Sequence, residues 1–112
     1  MNTVWRLRPD GHLAGRFGDK GEVELERSGQ VGGVALQPDG KIVTTTADGV
    51  FRLTPRGELD RSFAGDGRRP ISRFTIQNVA LQPDRKIVIC GNTIPSSAGE
   101  PYRFALARLE GG

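Results

Sequence analysis

Apolar residues in this chain come in short runs, and glycine, proline and aspartate punctuate them. The runs at residues 31–36 and 41–46 flank Pro38-Asp39-Gly40, and the runs at 76–81 and 86–91 flank Pro83-Asp84-Arg85. An Asp-Gly pair between two apolar runs is a strong hairpin signal, because glycine takes positive φ without a steric penalty. The second run of each pair is rich in β-branched residues, which favour a pleated strand. Further short runs predict strands at 4–7, 50–53 and 104–109, and at 22–26 and 68–73. Sixteen glycines and seven prolines suit many short strands joined by tight turns rather than long helices. The pattern places Val34, Leu36, Ile42, Val79, Leu81, Ile87 and Ile89 in the interior.

The runs repeat. VALQPDGKIV at 34–43 faces VALQPDRKIV at 79–88, with Gly40 and Arg85 the only difference. Val4, Arg6, Leu7, Pro9, Gly11, Leu13, Phe17 and Gly21 recur as Val50, Arg52, Leu53, Pro55, Gly57, Leu59, Phe63 and Gly67. Leu106-Ala107-Arg108-Leu109 echoes Val50-Phe51-Arg52-Leu53 once more, after an insertion rich in serine, proline and glycine. Four short strands in a repeat of about 46 residues is the spacing of a propeller blade. Calling the four strands A to D, the chain runs C-D, A-B-C-D, A-B-C. The fold class is therefore all-β and β-propeller-like, with about two four-stranded blades and partial blades at both ends. The divisions fall at residues 1–30 (partial blade, C and D), 31–75 (full blade) and 76–112 (partial blade, A to C).

Val79-Ala80-Leu81-Gln82-Pro83-Asp84, followed by Phe104-Ala105-Leu106-Ala107-Arg108-Leu109, resembles the bacterial delta-60 repeat. So does Pro55-Arg56-Gly57-Glu58-Leu59-Asp60-Arg61-Ser62-Phe63, with its proline-x-glycine turn, leucine-aspartate and serine-phenylalanine. The resemblance covers nearly the whole chain. It implies a β-propeller of the kind found in large bacterial surface or secreted proteins, and it brings no active site with it.

The net charge is +3, from sixteen basic and thirteen acidic residues. That is a mixed surface rather than a basic tract, and it predicts no nucleic-acid partner. No apolar stretch approaches membrane-spanning length, so no membrane role is expected. The first residues lack the apolar core of a signal peptide, which predicts that the chain stays where it is made unless it belongs to a longer exported protein. Cys90 is the single cysteine and sits in an apolar run, where a small buried hydrophobe is the expected role. The only histidine, His12, lies in a glycine-flanked turn. Asp60 and Asp66 flank a glycine-rich loop, but their spacing does not fit alternating calcium ligands, and turn formation is the expectation. Phe17 and Phe63 are expected as plugs between blades. Trp5 and Phe51 occupy matching places in strand C and are expected to pack between sheets rather than stack on sugars. The A strands carry no acid, base or thiol. No catalytic residue, metal ligand or cofactor is assigned, and the chain is not expected to be an enzyme.

Topology singles out one rim of the blades. The A–B and C–D turns share the regular rim, while the irregular 92–102 insertion and the 72–77 link share the other. Variable loops on a rigid scaffold are where binding residues concentrate. Candidate ligand-binding residues are therefore Arg73, Gln77, Asn92, Ser96, Ser97, Glu100 and Tyr102. The expected function is a structural or binding module for protein or glycan contacts, as a fragment or remnant of a longer propeller. The alternative is a small lectin-like subunit that completes its ring by homo-oligomerisation. Open blade faces predict self-association, as a weakly stable monomer or polydisperse assemblies rather than one discrete oligomer.

Overall fold

The computed structural model describes residues 2–25, 31–93 and 97–110, and they form three antiparallel sheets. The first holds β1 (Asn2–Trp5) and β2 (Glu22–Leu25). The second holds β3 (Val31–Leu36), β4 (Ile42–Thr46), β5 (Gly49–Leu53) and β6 (Arg68–Pro70) in sequence order. The third holds β7 (Phe74–Leu81), β8 (Ile87–Thr93) and β9 (Phe104–Leu109). Only the middle sheet is a full four-stranded blade. The first has strand positions C and D, and the third has A, B and C. The expected D strand stops at Pro70, which has no N–H to continue a ladder. Residue Glu26 of the expected first D strand lies outside the described residues. The third sheet starts at Phe74, which pairs with Thr93.

The repeat in sequence is a repeat in hydrogen bonding. In the A–B turns, Gln37 N donates to Lys41 O at 2.8 Å and Gln82 N to Lys86 O at 2.9 Å. Asp39 Oδ1 accepts from Lys41 N at 3.0 Å, and Asp84 Oδ1 from Lys86 N at 3.1 Å. In the C–D loops, Ala14 N donates to Arg6 O at 2.8 Å and Gly21 N to Phe17 O at 2.8 Å; Asp60 N to Arg52 O and Gly67 N to Phe63 O are both 2.8 Å as well. The turn survives Arg85 in place of Gly40, but Arg85 is held at φ 72, where a side chain crowds its own backbone. Arg85→Gly should raise stability by about 1 kcal/mol. Urea melts of the two proteins check this, and an unchanged or lower midpoint would mean that the arginine makes a compensating contact.

Two apolar layers lie between the three sheets. Phe17, Leu25, Ile42, Phe51 and Leu53 fill the layer between the first and second sheets. Val43, Val50, Phe63, Phe74, Ile76, Val79, Ile87 and Ile89 fill the layer between the second and third. The register explains the division. Ile42 faces Leu53 and Thr44 faces Phe51 on one side of the middle sheet, while Val43, Thr45 and Val50 point to the other. Both faces of β4 and β5 are thus covered, and every residue in them is buried. Phe17 and Phe63 are plugs between sheets, as their repetition predicts. At the first junction Gly18 N donates to Arg56 O at 2.7 Å. A Cβ at Gly57 would fall 2.7 Å from Val23 Cγ2 and 2.9 Å from Gly18 N, so only glycine fits there.

Two of the expected interior residues are not interior. Ile42, Val79, Ile87 and Ile89 are buried and Leu81 is partly buried, but Val34 is 63% exposed and Leu36 65%. The repeat equivalents of Val34 and Leu36 are Val79 and Leu81, which face the middle sheet. Val34 and Leu36 share a face with Ile42, and the sheet that covers this face has only its C and D strands. Ile42, Phe51 and Leu53 lie under β1 and β2, whereas strand A lies beside them, uncovered. Trp5 meets the same fate: it is 64% exposed, while its equivalent Phe51 is 3%.

Candidate functional site

The irregular rim is built from strand ends. The start of β7, the end of β8 and the start of β9 converge, with Asn92 paired across to both Thr75 and Phe104. Thr93 N donates to Arg103 O at 2.8 Å, and Arg103 N donates to Thr93 Oγ1 at 3.1 Å. These bonds clamp the base of the insertion, so that Thr93 belongs to β8 and the loop proper begins after it. At its far side Glu100 N donates to Ser97 O at 3.2 Å around Gly99, whose φ is 87.

Of the candidate residues, Arg73, Asn92 and Tyr102 come to this one end of the third sheet. Arg73 and Tyr102 are exposed, and Asn92 is half-buried. Ser97 and Glu100 lie on the exposed turn of the insertion. Gln77 does not join them: it is the unpaired residue of a bulge between Ile76 and Asn78, set back from the strand end. Ser96 lies outside the described residues. Next to Arg73 the rim has a cavity of about 350 Å³, lined by Ala47, Asp48, Pro70, Ile71, Ser72, Phe74 and Thr75. None of the six described candidates lines it. The B–C turn of the middle blade helps to form it, and Asp48 there accepts a hydrogen bond from Thr46 Oγ1 at 2.9 Å. Replacing residues 94–100 with a short glycine-containing turn should change stability by less than about 0.5 kcal/mol, since the clamp at Thr93 and Arg103 stays. A thermal melt showing a larger loss would place the insertion in the packed structure.

The most concentrated polar chemistry lies elsewhere, and the sequence reading missed it. Arg52 is 1% exposed and sits in β5 among apolar neighbours. Its Nε lies 2.8 Å from Asp60 Oδ2, its Nη2 donates to Ser62 Oγ at 3.1 Å, and its guanidinium lies 5.0 Å from the centre of the Phe63 ring. Lys41 Nζ reaches the same Asp60 oxygen at 3.1 Å. The other oxygen, Oδ1, accepts from Ser62 N at 3.1 Å and Ser62 Oγ at 2.7 Å. Burial alone would raise the Asp60 pKa. The hydrogen bonds from Ser62 and Lys41 and the charge of Arg52 outweigh it and hold the carboxyl well below the usual carboxylate range. A carboxylate this saturated is a clamp and has no lone pair to offer as a base. Asp66 turns to the backbone instead, accepting from Arg68 N at 3.2 Å. Among the described residues, no three His, Cys, Asp or Glu side chains converge as metal ligands would. In the first repeat Ala14 and Arg16 stand where Asp60 and Ser62 stand, so Arg6 has no such clamp. One signal could have exposed this network: an arginine recurs within an apolar strand at 6, 52 and 108.

Comparison with known proteins agrees with the repeat. A family model described as a β-propeller domain of unknown function, DUF5122, matches residues 37–63 and 82–111, just over half of the chain. Both matched stretches begin at the glutamine of the Gln-Pro-Asp turn. No curated protein and no solved structure matches the chain.

Proposed function

Since this chain belongs to the DUF5122 family of β-propeller domains, we propose that it is a non-catalytic blade module, one stretch of a longer ring, that works by contact with a protein or a glycan. The observation that supports this most is the contrast between its two rims. One rim repeats its turns bond for bond, and the other carries the clamped insertion, a cavity and the exposed side chains of Arg73 and Tyr102. A rigid scaffold with one variable edge is the usual arrangement of a binding module. The mixed surface charge favours a protein or glycan partner over a nucleic acid. The Gln-Pro-Asp turn and the Leu-Asp-x-Ser-Phe loop favour a delta-60 repeat of a bacterial surface or secreted protein as the finer assignment.

Glycan and peptide arrays provide the test, with the wild-type chain and an Arg73→Ala, Tyr102→Ala variant. The wild type should bind a restricted set of ligands, and the variant should lose them at least tenfold. Ligands bound equally by both would move the site off this rim. Conversion of an array ligand into a product would replace the module by an enzyme.

A further inference from the structure

The cavity of about 350 Å³ beside Arg73 is built from the interior of the chain, residues 47–48 and 70–75. One wall is the two-residue turn between β4 and β5, Ala47-Asp48, closed by the pairing of Thr46 with Gly49. Ala47 O accepts from Ile76 N and Asp48 O from Ile71 N, both at 2.9 Å. The link from β6 to β7 is therefore pinned to one turn at two points, and the residues between those points border the space. Four of the seven lining residues are apolar, namely Ala47, Pro70, Ile71 and Phe74. Asp48 is the only charged residue on the wall, and Ser72 and Thr75 add two hydroxyls. Among the described residues neither hydroxyl has a hydrogen-bond partner.

We propose that this cavity receives the side chain of a lysine presented by a partner protein. The inference rests on the blade-module reading and narrows its partner to a protein and its contact to one residue type. A lysine lays its methylene stem along apolar surface and keeps its ammonium at the polar edge. Here Pro70, Ile71 and Phe74 supply the surface, and Asp48 supplies the opposite charge. The ammonium has three donors, and Asp48, Ser72 and Thr75 bring three acceptor groups to one wall. Ligand pockets span about 300–1,000 Å³, and one at the small end suits a single side chain. Asp48 Oδ1 already accepts from Thr46 Oγ1 at 2.9 Å, which suits a compact ammonium better than the two-pronged fork of an arginine. A sugar ring would need an exposed aromatic face to stack on. The only aromatic on the wall is Phe74, which is 7% exposed and belongs to the apolar layer between the second and third sheets. Arg73 stands exposed beside the cavity, so an acidic residue next to the lysine meets a cation and a basic one is repelled.

Calorimetric titration of the full chain with blocked peptides provides the test, the probe being a lysine between two glutamates. This peptide should bind, and the same peptide with norleucine or acetyl-lysine in the middle should bind at least tenfold more weakly. Asp48→Asn removes the charge but keeps an oxygen for the Thr46 hydroxyl. It should weaken the lysine peptide at least tenfold and leave the norleucine peptide unchanged. Ser72→Phe, at an exposed position, fills the mouth and should abolish binding without relying on Asp48. Equal binding of the lysine and norleucine peptides, or of the lysine peptide to wild type and Asp48→Asn, overturns the proposal. So does the absence of binding at about 5 mM peptide, since even one side chain in a fitted pocket reaches the millimolar range. Displacement of the lysine peptide by galactose or N-acetylglucosamine would make the cavity a sugar site and overturns it too. Array ligands lost by the Arg73→Ala, Tyr102→Ala variant but not by Asp48→Asn would end the lysine pocket and keep the rim reading. A lysine peptide bound through Asp48, with no array ligand that depends on Arg73 and Tyr102, would do the reverse.

Discussion

Asp60→Ala should unfold more of this protein than any other surface-loop substitution, at a cost of about 3–5 kcal/mol, because it strands a buried charge. Arg52 is 1% exposed and Asp60 is its charged partner at 2.8 Å. Removing the carboxylate takes the charged partner from a guanidinium that lies in an apolar layer beside the Ser62 hydroxyl and the Phe63 ring. The companion variant Arg52→Met, Asp60→Ala should recover most of the loss, since replacing a buried pair by apolar groups is often neutral. Urea denaturation of the three proteins checks both statements, and equal losses in the single and double variants would mean that the clamp acts through something other than its charge. The pH dependence has a definite sign. The folded carboxyl titrates below its unfolded value of about 4, so its contribution is complete above that pH and decays as the pH falls toward the folded value. The wild type should therefore lose stability below about pH 4, and the double variant should lose less over the same interval.

Ile87→Ala should cost about 2–5 kcal/mol, the usual range for emptying a core site. Ile87 is fully buried between the second and third sheets, where Val43, Val50 and Ile89 leave little room for collapse. Val88 is its immediate neighbour but points to the uncovered face and is half-buried. Val88→Ala should cost less than about 1 kcal/mol, because fewer contacts are lost. Similar losses at the two positions, measured by thermal and urea melts, would mean that the outer face of the third sheet is covered in solution.

The strands and turns of this fold were legible in the sequence because each is set locally. Pro-Asp-Gly fixes a hairpin wherever it occurs, and a β-branched run makes a strand whatever packs on it. Burial is different, because it depends on what lies above a strand. Val34-Ala35-Leu36 and Val79-Ala80-Leu81 are identical in sequence, yet Val34 is 63% exposed and Val79 only 9%. No pattern within either segment could separate them; only the count of strands in the adjoining sheet does. The candidate rim was legible as topology but not as a residue list. Gln77 fell out because a bulge cannot be seen in an alternation of apolar and polar residues. The cavity lined by Asp48 and Ser72 was missed because its walls come from two different blades. The Arg52–Asp60 clamp was overlooked for another reason. Strand charges are usually taken as solvent-facing, and only pairing with a loop residue eight positions on turns this one inward.

The placement of β4 and β5 bears on how the molecule moves. Each has a hydrogen-bonded neighbour on both edges and a sheet over both faces, whereas β8 has one face open and β1 and β9 have an open edge as well. Amide hydrogens in Ile42–Thr46 and Gly49–Leu53 can meet solvent deuterium only when the whole chain opens, while those of β1 and β9 need only local fraying. Hydrogen exchange should therefore slow from both ends of the chain toward its middle. A single melting temperature would then report the central blade, with the outer strands already lost at lower temperature.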